Sequence, residues 1–307
     1  MKVLLFLKKY WFYIINIILM VILGVYVCCF AIKKARNYEI YSEPSLNTKI
    51  YTVWHIETFE GGSKSRVDYL KSTAKTIEQQ NLGTLFYIKV INPENLESEL
   101  SASKPDIISF GFGVGQVLLP NLLNLNNTYN VRDELVESSM FNNKLYALPY
   151  IVSGYAEIKH TELGSTFLCG TSKYVKPQNI YSSLNLTPTN KESSYEAYKH
   201  FVYNKDAILL GSARDVYRVN NLNNIGRTNA IIKPINTYTD LLQYVGLCVN
   251  DNITNKFVEL LLNKENQLSL TNYSLFSSLH NKLYNLGIYN DMENAIYNAK
   301  IAKVFNE

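Results

Sequence analysis

An α/β fold is what this sequence predicts, and three observations predict it. First, β-prone runs at Ile50–Trp54, Thr84–Ile91 and Ile107–Phe112 are rich in the branched and aromatic residues that suit a buried, pleated strand. Second, helix-forming segments stand between them. Val67, Leu70, Ala74 and Ile77 recur at helical intervals after Ser65-x-x-Asp68, which has capping-box spacing, and Pro93–Ser103 opens with proline where its missing N–H does no harm. Third, Gly61-Gly62 supplies the turn between the first strand and its helix, since glycine tolerates the dihedrals a tight turn demands. Strand, helix, strand, helix, strand is the order that gives a parallel sheet. Ligands of such sheets gather at the carboxyl ends of the strands, here Trp54, His55, Glu57, Phe59 and Glu60.

Composition bounds the rest. The chain has 307 residues, 47% hydrophobic and 18% charged, enough for one large or two medium domains with a proper core. Its net charge of +4 is local to the amino terminus, where Lys2, Lys8, Lys9, Lys33, Lys34 and Arg36 stand without an acid among the first 36 positions. The remainder carries 24 basic against 26 acidic residues, which leaves no basic face for nucleic acid.

Tyr10–Ile32 is a 23-residue stretch with no charge and one strongly polar residue, Asn16. That length crosses a hydrocarbon layer of roughly 30 Å as a helix. Its apolar run exceeds the roughly 7–15 residues of a cleaved signal and no A-x-A-like site follows it. Cys28 and Cys29 invite a lipid anchor, but Val25, Tyr26 and Val27 before Cys28 lack the expected leucine and small residue. The expectation is an uncleaved amino-terminal transmembrane helix within residues 1–36, then a polar tether at 37–48. Beyond the anchor only Cys169 and Cys248 remain, too few for a disulfide framework or a metal site; they read as free thiols.

Two glycine motifs carry no nucleotide site. In Gly111-Phe112-Gly113-Val114-Gly115-Gln116 the glutamine stands where a third glycine belongs, and Gly61-Gly62-Ser63-Lys64-Ser65 lacks the upstream glycine of a phosphate-binding loop. Both fit turns beside a ligand cleft. Nor does a catalytic set emerge: His55, His160, His200 and His280 are scattered, and nothing marks Glu57 and Glu60 as an acid/base pair. The reading is a non-enzymatic protein without metal or cofactor. His55 ends a strand in the expected cleft, with a satisfied structural histidine as the plainer alternative.

From Lys49 to Gln80 the chain resembles the start of the mature domain in bacterial ABC-transporter extracellular solute-binding proteins of the sugar-binding type (family 1). There a strand ends in a Trp-rich loop with Glu and Gly and leads into the first helix. The likeness continues at Lys144–Val152, which matches the first crossing between lobes. It sharpens at Tyr195–Tyr203, a helix, and at Ala207–Leu210, a buried strand that runs into the turn Gly211-Ser212-Ala213-Arg214-Asp215 and a new helix. Ala230–Ile235 corresponds to the return crossing, and Leu275–Tyr289 resembles the closing helices. The segment after the first crossing is shorter than family members carry.

The resemblance implies a two-lobed type II periplasmic-binding-protein fold on an amino-terminal transmembrane helix. Lobe 1 would take residues 49–150 and 236–307, and a reduced lobe 2 residues 151–235. It implies capture of a small polar solute, a sugar or oligosaccharide, outside the cell membrane and delivery to the transmembrane subunits of an ABC permease. The alternative is a membrane-anchored interaction or regulatory protein that kept the fold without a transport ligand. Expected ligand contacts are Trp54, Glu57, Glu60, Phe112, Tyr150, Tyr155, Arg214, Asp215 and Asp240. Among the 24 tyrosines and two tryptophans, those at strand ends and at the crossing are placed to stack on sugar faces. Arg214 is expected to point across the cleft towards the Trp54–Glu60 loop.

Overall fold

The computed structural model describes residues 11, 16, 19–31, 48–125, 129–160, 166–170, 174–184, 187 and 190–305. It separates residues 1–48 from residues 49–307. In the first unit residues 19–31 are helical with exposed side chains. No described helix is long and apolar enough to cross a membrane. The rest of the expected span Tyr10–Ile32, and the tether at 37–47, lie outside the described residues.

Two sheets organise the second unit. The larger has six strands: β1 Lys49–Ile56, β2 Thr84–Ile91, β3 Ile107–Gly111, β6 Leu148–Val152, β13 Leu242–Leu247 and β14 Phe276–Ser277, in the order β14-β6-β13-β3-β1-β2. Strands β2, β1 and β3 are parallel, but β13 runs against β3 and β6. The parallel sheet that the alternation predicts is therefore mixed. The physical reason is the path of the chain: β13 comes back from the other sheet and enters at the end where β1 and β3 leave. The second sheet contains β7 Tyr155–Lys159, β8 Thr166–Gly170, β9 Asn190–Glu192, β10 Ala207–Ser212 and β11 Ile231–Pro234, in the order β11-β7-β10-β8-β9. Short pairs complete the strands: β4 Met140–Phe141 with β5 Lys144–Leu145, and β12 Tyr238–Thr239 with β15 Lys300–Ile301.

The helices are α1 Arg66–Gln80, α2 Leu96–Ala102, α3 Gly115–Leu118, α4 Asp133–Glu137, α5 Gln178–Leu184, α6 Ser194–Tyr203, α7 Ala213–Asn224, α8 Asn252–Leu261, α9 Lys264–Ser269 and α10 Gly287–Asn298. Helix α1 starts where Ser65 accepts a bond from the Val67 amide. Its buried face is Arg66, Tyr69, Leu70, Thr73, Ala74 and Ile77, so Arg66 is sequestered while Val67 is only half-buried. Leu70 and Ile77 are fully enclosed, each contributing about 1.5–3 kcal/mol by burial. Tyr69 stacks on Tyr150 with ring centroids 6.0 Å apart, which ties α1 to β6 under the sheet.

Three expected elements differ. Ala230–Ile235 is mostly strand β11 at an edge of the second sheet, so the chain returns only after Pro234. Leu275–Tyr289 is not helical through its length; it opens with β14, and the closing helix is α10, which packs along β11. The Pro93 segment begins as a short 3-10 turn, Pro93–Asn95, before α2.

Between the sheets the chain crosses at Ser153-Gly154 and returns between Pro234 and Tyr238. Gly113, beyond β3, lies so close to the facing loop that a Cβ there would sit 2.5 Å from the Tyr174 carbonyl oxygen, and its φ of +93° lies in the region that favours glycine. That contact presses one lobe's loop directly on the other's backbone.

Candidate functional site

The ends of β1, β8 and β10 meet at a cavity of about 300 Å³. From the first lobe come Glu57, Thr58, Phe59 and Glu60 beyond β1, with Leu241 from the return crossing. From the second come Tyr155, Gly170, Val175, Leu210 and Ser212, with Ser194 and Asp215 from the first turns of α6 and α7. Apolar Phe59, Val175, Leu210 and Leu241 offer surface for carbon-bound hydrogens, and the charged groups among its lining residues are carboxylates. A second, more polar recess of about 350 Å³ shares Glu57 and Glu60 as its wall and adds Lys64, Arg66, Arg214 and Arg218.

A buried polar network holds the first wall. His55 is fully enclosed, with Nδ1 2.9 Å from Ser109 Oγ and Nε2 2.9 Å from Glu57 Oε1. Gln243 Nε2 donates to Ser109 Oγ at 2.9 Å, and the Tyr150 hydroxyl lies 2.8 Å from the same oxygen. Arg66 donates to Glu57 Oε1, to Gln243 Oε1 and to the Phe59 carbonyl. Burial pushes His55 down, so its neutral form places one proton on Nε2, facing Glu57, and accepts from Ser109 at Nδ1. Burial alone would raise Glu57, but the His55 hydrogen bond and the Arg66 charge outweigh it and hold the carboxyl down at about 2.

The second wall is built locally. Ser212 caps α7: its hydroxyl accepts from the Arg214 amide, and Asp215 Oδ2 accepts from the Ser212 amide in a reciprocal capping box. Arg218, one turn further on, donates to Asp215 Oδ1 at 3.1 Å. Burial pushes Asp215 up to about 6, with the Arg218 charge and the Ser212 amide opposing the rise and Glu60 adding to it.

Two bonds join the walls at the mouth. Arg214 Nη1 donates to the Gly62 carbonyl at 3.0 Å, and Arg218 Nη2 pairs with Glu60 Oε2 at 3.0 Å. Arg214 reaches across to Gly62, just beyond the Trp54–Glu60 loop that it is expected to face. Tyr198 and Tyr195 flank the Arg218 guanidinium, with ring centroids 5.0 and 5.7 Å away.

The expected contacts thus divide. Glu57, Glu60, Tyr155 and Asp215 line the cavity, and Arg214 lines its outer recess. Trp54, Phe112, Tyr150 and Asp240 do not, which corrects their placement. Trp54 is enclosed beneath Lys89, whose ammonium stands 5.5 Å from its ring; strand alternation turns it away from His55. Tyr150 is consumed by Ser109, and Phe112 is covered by Lys176. Asp240 stands between β12 and β13, accepting from the Tyr155 hydroxyl, the Tyr238 hydroxyl and the Lys176 amide, so its lone pairs are spent inside the protein. Residues that the sequence reading assigned no role include Arg66, Gln243, Ser194 and Arg218. Only Arg218 had a local signal, its i+3 spacing from Asp215 on a helix.

Cys169 precedes Gly170 at the cavity, but burial pushes its thiol up to about 11, the opposite of an activated nucleophile. Among the described residues no group of His, Cys, Asp and Glu is arranged to hold a metal ion.

Solved structures share this arrangement of two sheets around a cleft. The GacH receptor of Streptomyces glaucescens, solved unliganded and with acarbose, matches with a TM-score of 0.59 and 11% identity, covering 82% of this chain and 88% of that one. The maltose-maltodextrin binding protein of Alicyclobacillus acidocaldarius matches with a TM-score of 0.56 and 10% identity, covering 83% and 90%. The fold is that of the two-lobed sugar-binding proteins. Thiaminase I from Bacillus thiaminolyticus shares it at a TM-score of 0.59 and 9% identity, covering 82% and 94%, so the fold alone does not separate binding from catalysis. No family model matches the chain, and comparison with curated sequences finds no match.

Proposed function

We propose that this chain is an extracytoplasmic solute-binding protein whose inter-lobe cleft captures a small polar solute, a carbohydrate, for an ABC importer, with the amino-terminal apolar stretch as its membrane anchor. The observation that carries this reading is the cavity itself: it draws on strand ends of both sheets, mixes an apolar floor with acceptor carboxylates, and sits in a fold whose neighbours bind sugars. Its volume lies at the bottom of the roughly 300–1,000 Å³ typical of small-molecule sites, which favours a single small ring over an extended chain. Closure over the ligand couples to binding, because both walls touch it only when the lobes meet.

The rival reading is an interaction or regulatory protein that kept the fold without a transport ligand. One observation favours it: the Arg214–Gly62 and Arg218–Glu60 bonds already span the mouth. Thermal unfolding of the purified full chain against a panel of sugars, amino acids and peptides decides between them. A sugar at 100 times its dissociation constant adds about 2.7 kcal/mol. A flat response across the panel rules out the transport reading in favour of the rival.

A further inference from the structure

Charge in the cleft is sorted by depth. In the inner cavity the charged side chains are Glu57, Glu60 and Asp215. In the outer recess the same two glutamates face Lys64, Arg66, Arg214 and Arg218. A neutral sugar has no use for such a separation, because its hydroxyls donate and accept equally along its edge.

The sorting matters because some charge on each side is uncommitted. Both bonds to Glu57 fall on Oε1, and Arg218 takes Oε2 of Glu60, so Glu57 Oε2 and Glu60 Oε1 have no partner among the described residues. On the cationic side Arg66 is spent on Glu57, Gln243 and the Phe59 carbonyl, and Arg218 on Glu60 and Asp215. Arg214 instead donates to a backbone carbonyl, and Lys64 stands 5.7 Å from the Tyr273 ring; neither pairs with a carboxylate among the described residues. Inner acceptors and outer cations thus face one another across the Glu57–Glu60 wall.

Resting on the reading of this cleft as a solute site, we propose that its ligand is a small zwitterionic ring, an amino sugar that also carries an acidic group, with the amine inward on Glu57 and Glu60 and the acid outward on Arg214 and Lys64. An ammonium donates to the free carboxylate oxygens as charge-assisted hydrogen bonds, and a phosphate or carboxylate takes the two outer cations.

Four matched probes test this by calorimetric titration of the full chain at low salt: glucosamine 6-phosphate, glucosamine, glucose 6-phosphate and glucose. The zwitterion should bind tightest, and removal of either charge should weaken binding about 10- to 100-fold, the range for hydrogen bonds to charged groups. Arg214→Ala should erase the preference for the phosphate and keep the preference for the amine; Glu60→Gln should do the reverse. Glucose binding as tightly as glucosamine 6-phosphate overturns the zwitterion and leaves solute binding standing. Silence from all four, with a sugar hit elsewhere in the panel, overturns it equally; silence across the whole panel is instead the failure of the solute-binding reading. An equal loss for all four probes in Arg214→Ala makes that arginine structural and removes the outward assignment.

Discussion

The two walls of the cleft each present a carboxylate, and the protein treats them in opposite ways. Glu57 is drawn down to about 2 by His55 and Arg66, while Asp215 is pushed up to about 6 by burial. Glu57 sits on a wall assembled from five segments spread between residues 55 and 243: the end of β1, the start of α1, β3, β6 and β13. Asp215 sits on a wall assembled within seven residues, Ser212 to Arg218. A wall stitched from distant segments can surround a charge with several partners. A wall made from one helix start offers a cap and one cation, and leaves its carboxylate short of compensation.

Cutting the first wall at its central cation should give the largest effect. Arg66 is buried and serves three acceptors at once, so Arg66→Met strands the Gln243 oxygen and the Phe59 carbonyl and leaves Glu57 with His55 alone. Glu57 is 41% exposed and keeps His55, so the cost falls on the two buried neutral acceptors, about 1–3 kcal/mol for each one left unsatisfied. Urea unfolding should show a loss of that order without a change in slope. A loss below 1 kcal/mol would mean the network does not hold the wall.

The second wall is tested by pH. The folded-state pKa of Asp215, about 6, lies above its ordinary 3.8, so the contribution of this group is greatest below about pH 4 and is lost as pH rises through 6. The shift corresponds to a loss on the order of 3 kcal/mol between those limits. The stability difference between the parent chain and Asp215→Asn should therefore drift in favour of the variant across this window. Glu57 runs the other way, its contribution present above about pH 4.5 and lost only as pH falls towards 2. Parallel curves for parent and Asp215→Asn would show that Asp215 titrates normally and that the contrast between the walls is false.

How much of this was legible in sequence follows the same division. The local wall was readable, because Gly211-Ser212-Ala213-Arg214-Asp215 contains its own cap, turn and helix start. The strands β1 and β2 were readable too, since side-chain alternation and branching act within a few residues. The distant wall was not. Nothing near Arg66 in the chain says that its guanidinium meets Gln243, 177 positions later. Trp54 misled for the same reason: its place at a strand end was visible, but which face the strand turned inward depended on Lys89 and the sheet around it. Asp240, an expected ligand contact, is instead closed in by Tyr155, Tyr238 and Lys176, which come from three separate segments.

Between the walls lies the turn that lets them approach. Gly62 has φ of +68°, and a Cβ there would stand 2.2 Å from the Tyr273 carbonyl oxygen. Its own carbonyl receives Arg214. Gly62→Ala combines an unfavourable backbone region with a clash against backbone that cannot swing away, at a cost of about 1–3 kcal/mol. Differential scanning calorimetry should register it as a lowered melting temperature. An unchanged melting temperature would show that the 61–65 loop is free to move off Tyr273.

The smallest stability effect is expected at Arg214, and its smallness is informative. Its guanidinium makes one partly buried bond, to the Gly62 carbonyl, and its backbone amide keeps its bond to Ser212 whatever the side chain is. Arg214→Ala therefore removes a single neutral-acceptor hydrogen bond, a loss of about 0.5–1.5 kcal/mol, while the α7 cap survives. The bond joins two lobes, so its loss should appear less in global unfolding than in the ease with which they part. Amide exchange at Gly62–Ser65 and at the start of α7 should quicken in the variant, with the strands of both sheets unaffected. Uniformly faster exchange through the second sheet would mean that Arg214 supports the fold of its own lobe, and that the cleft mouth is held by Arg218 and Glu60 alone.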